Sequence, residues 1–80
     1  MRQMIIGYRS GITKDGYPYA LLFGLKDIPS KQGCYGQEVD VIKCTPEIMT
    51  QLRPELVGNE CDLQFARNFR GEAVCSAISL

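Results

Sequence analysis

The chain has 80 residues, 45% apolar and 22% charged, with nine basic and nine acidic side chains and no histidine. That length suits one small domain, residues 1–80, whose core is thin: about 60–65% of the unfolded chain's surface is buried. The composition excludes a disordered or low-complexity chain, and the balanced charge gives no bulk attraction toward a polyanion, so any nucleic-acid role has to rest on where the cations sit.

The first strand is predicted over Arg2–Arg9, "RQMIIGYR", with Met4, Ile6 and Tyr8 on one face and Tyr8 in the core. Its apolar run, Met4–Ile6, is too short for a signal-peptide core or a membrane span. A cytoplasmic chain with no membrane partner is therefore expected. "KDG", Lys14–Gly16, is an Asp-Gly hairpin signal. The second strand follows at Tyr17–Leu25, "YPYALLFGL", with Phe23 expected in the core. Pro18 donates no ladder hydrogen bond, which suggests an edge strand and a hairpin free to project.

"IPSKQGCYGQ", Ile28–Gln37, is a loop. The third strand, Glu38–Cys44, reads with Glu38 and Asp40 outward and Val39 and Val41 inward. Thr45 is a candidate cap, Pro46 fits the first helical position and Glu47 the first turn, so one or two helical turns are predicted over Thr45–Leu52, ending before Pro54. The fourth strand, Glu60–Arg67, has the clearest two-residue period, with Cys61, Leu63 and Phe65 against Glu60, Asp62 and Gln64. "NFRGE", Asn68–Glu72, closes a last hairpin into a fifth strand, Ala73–Leu80. Three strands, a short helical turn and two more strands match an all-β, five-stranded OB-fold barrel better than an SH3-like barrel, which places its helical turn later.

The cysteines are spaced C-x9-C-x16-C-x13-C at positions 34, 44, 61 and 75. No short knuckle and no histidine accompany them, against the pattern of structural zinc. A secreted cystine scaffold fits the count but lacks a signal segment. The preferred reading makes Cys44, Cys61 and Cys75 small buried hydrophobes with free thiols. Without histidine the commonest general base is missing, and no phosphate-loop, dinucleotide or nucleophile-elbow motif is present. The paired carboxylates Glu38/Asp40 and Glu60/Asp62 alternate like solvated strand faces. Neither catalysis nor a cofactor is expected.

A binding surface is the better prospect. Single strands need flat π faces for unpaired bases and cations for phosphates. The second strand offers Tyr17 and Tyr19 on one face with Leu21 behind them, Arg9 and Lys14 flank the first hairpin, and Lys43 interrupts an apolar third strand.

At these residues "RSGITKDGYPYAL", Arg9–Leu21, resembles the RSG-x4-G-x-PY-x-L element of the gene V single-stranded DNA-binding proteins of filamentous phages. "EVDVIKC" is similar to that family's third strand, and "LVGNECDLQFARNF" fits the approach to its last hairpin loosely. The resemblance covers about half the chain. It implies a small OB-fold homodimer that coats single-stranded DNA cooperatively during phage or mobile-element DNA replication, as a helix-destabilising protein. It also implies a projecting hairpin wing in which Arg9 and Lys14 contact phosphates, Tyr19 stacks on a base and Leu21 packs beneath. Lys43 becomes a further phosphate contact. Tyr17 stands where the family has a basic residue, and can exchange a phosphate contact for a stack. The family's last hairpin bears an aromatic at its tip and helps form the dimer; the shorter loop here offers Phe69 and Arg70 instead. Single-stranded DNA is the expected partner, with RNA open as a second. The alternative is a small barrel that uses the same aromatic hairpin to hold a protein partner.

Overall fold

Alternating apolar residues between glycine and proline turns give five strands in a computed structural model that describes residues 1–80. They are β1 (Arg2–Ile12), β2 (Pro18–Asp27), β3 (Gln37–Cys44), β4 (Glu60–Arg67) and β5 (Ala73–Ser79). The strands close in the order β1-β2-β3-β5-β4. All neighbours are antiparallel except β3 and β5, which meet in parallel at the single pair Cys44 and Cys75. This is the strand order of a small OB-fold barrel.

Helix is limited to two 3-10 turns between β3 and β4, at Pro46–Thr50 and Pro54–Leu56. The first occupies the stretch predicted as helical. Thr45 does not cap it through its side chain; its carbonyl accepts from the Ile48 amide at 3.1 Å instead. The second turn was not anticipated. Each turn contributes one fully buried side chain, Ile48 and Leu56, to a core otherwise made of Ile5, Ala20, Leu22, Ile42, Cys61, Leu63, Cys75 and Ile78.

Which residues face that core differs from the expected pattern in four strands. In β1 the register with β2 shifts between Ile5 and Gly7, a bulge that inserts one residue. Ile5 is buried before it and Tyr8 packs on the core after it, so Tyr8 lies where expected while Met4 and Ile6 turn outward. In β3 the phase is the reverse of that read from the valines. Val39 and Val41 are 50% and 58% exposed, whereas Ile42 is buried and Cys44 packs on the core. The pairing of Leu22 with Ile42 and of Ala20 with Cys44 dictates this, because both β2 residues are core. In β4 Cys61 and Leu63 are buried as predicted, but Phe65 follows a second register shift and is 41% exposed rather than core. Phe23 is likewise only half-buried, on the outer side of β2.

Asp40 shares the inner phase of β3 and is served by polar neighbours: Gln3 Nε2 donates to it at 3.2 Å, and Lys26 Nζ lies at 3.8 Å. Gln3 Nε2 also donates to the Leu25 carbonyl at 3.2 Å. The Gln3 side chain runs over Gly24, where an added Cβ would stand 2.6 Å from Nε2 and 2.8 Å from Cδ. Gly24→Ala is therefore expected to displace Gln3 from both acceptors and to destabilise by about 1–3 kcal/mol, in the range of an overpacked core. Thermal unfolding followed by circular dichroism checks this. Adding Gln3→Ala to that variant should recover part of the loss, and no recovery would assign the loss to the backbone instead.

Candidate nucleic-acid interface

The β1–β2 hairpin extends beyond the β2–β3 ladder. That ladder begins at Ala20 opposite Cys44, whereas β1 and β2 stay paired out to Ile12 and Pro18. Pro18 is thus at an edge only in this outer part; further along, β2 is a central strand. The turn is closed by the Gly16 amide donating to Thr13 O at 2.9 Å and the Thr13 amide donating to Tyr17 O at 2.8 Å. Gly16 has φ +87° and no other residue type in the chain has positive φ, so Asp15 is not left-handed and Gly16 alone supplies the reversal. This is a three-residue hairpin loop rather than the two-residue Asn-Gly type. The Tyr17 amide is held in addition by Thr13 Oγ1 at 3.1 Å.

Register then brings side chains from three strands onto one outer face. Arg9 of β1 is opposite Leu21 of β2, and Leu21 is opposite Lys43 of β3. Two cations therefore flank a half-buried leucine in a single row across the sheet. With strands ~4.8 Å apart, the outer two Cα atoms are separated by about 10 Å. The next row toward the tip pairs Gly11 with Tyr19. A Cβ on Gly11 would lie 3.2 Å from both Cε1 and the hydroxyl of Tyr19, so the glycine lets the ring rest on the β1 backbone beside Arg9 and Leu21. On the other side of the cationic row comes Phe23, paired with Gly7 and Val41, followed by Leu25 with Val39. Phe23, Val39 and Val41 were read from sequence as core. Their outward position shows that both faces of β2 are apolar, which is the signal that could have revealed a surface strip here.

Charge is distributed to leave that row free. Glu38 and Asp40 pair with Lys26, Glu60 with Arg2, and Asp62 with the N-terminal ammonium. Four carboxylates are thus engaged by two side-chain cations and the terminus, whereas Arg9, Lys14 and Lys43 form no ion pair. The neutral total conceals an uneven surface. Lys14 lies at the hairpin tip, five residues from Arg9 and about 16 Å along an extended strand, beside Asp15. It is not part of the row. Tyr17, 69% exposed, lies between tip and row.

Phe69 and Arg70 form a separate apex on the β4–β5 hairpin. Asn68 Oδ1 accepts from the Arg70 amide at 2.9 Å and the Glu72 amide at 3.0 Å, fixing the loop. Phe69 is left 93% exposed, with the Arg70 guanidinium 5.4 Å from its ring centre. No hydrogen bond or ion pair connects this apex to the β1–β2 hairpin.

The surface holds no enclosed pocket, so an occupant of the β1–β2–β3 face would lie on an open sheet. No helix is long and apolar enough to cross a membrane. No protein-family model, no curated protein and no solved structure matches the chain.

Proposed function

We propose that this chain binds single-stranded DNA without sequence preference, by phosphate neutralisation and base stacking, and performs no catalysis. The observation that carries the proposal is the Arg9–Leu21–Lys43 row with Tyr19 beside it, on the outer face of strands that OB-folds use for oligonucleotides. Arg9 and Lys43 take phosphates on either side of Leu21. Tyr19 stacks on a base, held flat by Gly11. Tyr17 and Lys14 continue the track toward the hairpin tip, and Phe69 with Arg70 forms a second contact. Coating of a strand by cooperative homodimers, in phage or mobile-element replication in a host cytoplasm, extends this reading along the gene V resemblance.

The test uses intrinsic fluorescence, since the chain has four tyrosines and no tryptophan. Titration with poly-dT at low salt should quench the emission, and higher salt should weaken binding steeply as neutralised phosphates regain counterions. Absence of quenching at low salt would overturn the proposal. Titration with poly-U reports whether RNA is also held.

A second reading rests on the outward strip of half-buried Phe23 and exposed Val39 and Val41, which has no cation of its own and suits a protein surface. Under that reading Val41→Asp abolishes partner capture, and poly-dT leaves the fluorescence unchanged.

A further inference from the structure

Barrel closure depends on one narrow seam. The β1–β2, β2–β3 and β4–β5 ladders each run over several residues, but β3 and β5 share only the pair Cys44 and Cys75. A single backbone hydrogen bond outside the strands reinforces it, from the Thr45 amide to Cys75 O at 2.9 Å. Both side chains point inward: Cys75 is fully buried in the core and Cys44 packs against it, half-buried. Directly paired residues on neighbouring strands are ~4.8 Å apart, inside the Cα separation of about 4.4–6.8 Å that a disulfide spans. All four cysteines are free thiols.

The other two cysteines lack such a neighbour. Cys34 sits in the β2–β3 loop, bridged by backbone to Lys31. Cys61 is buried on β4, its thiol directed to the carbonyls of Leu56 and Asn59 at 3.7 and 3.6 Å, and burial pushes that thiol up.

We propose that Cys44 and Cys75 form a reversible redox site, in which peroxide converts the two thiols into an intramolecular disulfide that locks β3 to β5. The inference stands apart from the nucleic-acid reading and uses none of its residues.

The chemistry is that of a vicinal pair. Hydrogen bonding from the Cys44 thiol brings Cys75 down to about 7, while the same partner and burial push Cys44 up. Near pH 7 the pair therefore begins to lose one proton, from Cys75, while the other stays on Cys44, since two adjacent thiolates would repel. Cys75 is fully buried, so its charge reaches peroxide through its partner: the Cys44 proton passes to Cys75, and the half-buried Cys44 Sγ, now the thiolate, attacks hydrogen peroxide. The O–O bond breaks, hydroxide leaves, and Cys44 becomes a sulfenic acid. Cys75 Sγ then attacks the Cys44 sulfur, the S–O bond breaks, and the departing hydroxide takes the Cys75 proton. Overall two thiols and one peroxide give one disulfide and two waters, with two electrons passing from sulfur to oxygen. A low-molecular-weight thiol reverses the step by exchange.

The test begins with the reduced wild-type chain and a small excess of hydrogen peroxide. Titratable thiols should fall from four to two, with a mass loss of two hydrogens and no covalent dimer. Non-reducing digestion after basic and glutamyl residues separates Cys44 from Cys61, and should join the Cys44 peptide to the Cys75 peptide. Dithiothreitol should restore all four thiols. The oxidised form should unfold on the order of 20 °C higher, because the bond closes a loop of about 30 residues in the unfolded chain. In Cys75→Ser, dimedone should trap Cys44 as its sulfenic acid. A cross-link through Cys34 or Cys61, a covalent dimer, over-oxidation without a cross-link, or a lower midpoint on oxidation would each overturn the proposal. The wild-type map decides even if Cys75→Ser does not fold.

Discussion

Leu22→Ala is expected to lower the thermal midpoint by on the order of 15–20 °C, whereas Leu21→Ala, one residue away, should lower it by only a few degrees. Leu22 is fully buried in the row Tyr8–Leu22–Ile42, at the centre of the strands that form half the barrel. Truncating such a leucine removes its transfer free energy and leaves a cavity, together about 3 kcal/mol. An 80-residue domain unfolds with an entropy near 0.17 kcal/mol/K, which converts that loss into the stated shift. It is also a large part of the about 4–12 kcal/mol that a domain of this length holds in total. Leu21 points the other way, half-buried between Arg9 and Lys43, and its loss should fall mainly on binding. The same contrast applies across the ladder: Ile42→Ala should destabilise strongly and Val41→Ala weakly. Circular dichroism melts of the four variants check both pairs. Equal losses within a pair would mean that the phase of that strand is not the one described.

That contrast also marks how far sequence alone could go. The order of strands, the short turn after Pro46 and the Cys61/Leu63 face of β4 follow from turn residues and two-residue alternation, and each matches the fold. Bulges limit the method. A residue inserted between Ile5 and Gly7 makes counting from Met4 and counting from Tyr8 give opposite faces, so Met4, Ile6 and Tyr8 could not all point inward. The shift between Gln64 and Phe65 separates Phe65 from Leu63 in the same way. β3 is ambiguous by itself, because Val39 and Val41 make one phase apolar while Ile42 and Cys44 do the same for the other. Only the neighbouring core residues of β2 decide between them.

The candidate site was legible residue by residue but not as an arrangement. Arg9, Leu21 and Lys43 are far apart along the chain, and nothing in their spacing says that two ladders align them in one row. Nothing in the sequence gives Gly11 a purpose, whereas in the fold the Tyr19 ring rests on it. Lys14, grouped from sequence with Arg9 and Lys43, is displaced to the hairpin tip because the β1–β2 ladder continues past Arg9 to Ile12.

Tyr19→Ala and Arg9→Ala should both weaken binding to oligo-dT, but in ways that separate stacking from charge. Loss of a base–aromatic stack is worth about 1–3 kcal/mol, so Tyr19→Ala should weaken binding by roughly 5–150-fold. The plot of log affinity against log salt should keep its slope, because no phosphate contact is removed. Arg9→Ala should weaken binding too and also reduce that slope by about 0.7, the share of one phosphate on a single strand. Anisotropy of a labelled oligo-dT measures both without relying on the tyrosine that has been removed. Tyr19→Phe retains the ring over Gly11 and should bind within about twofold of wild type if stacking is the contribution. If Tyr19→Phe bound as poorly as Tyr19→Ala, the hydroxyl rather than the π face would be the contact. If Tyr19→Ala and Arg9→Ala gave equal slopes, Arg9 would hold no phosphate, and the face between β1 and β3 would be better explained by its apolar strip and a protein partner.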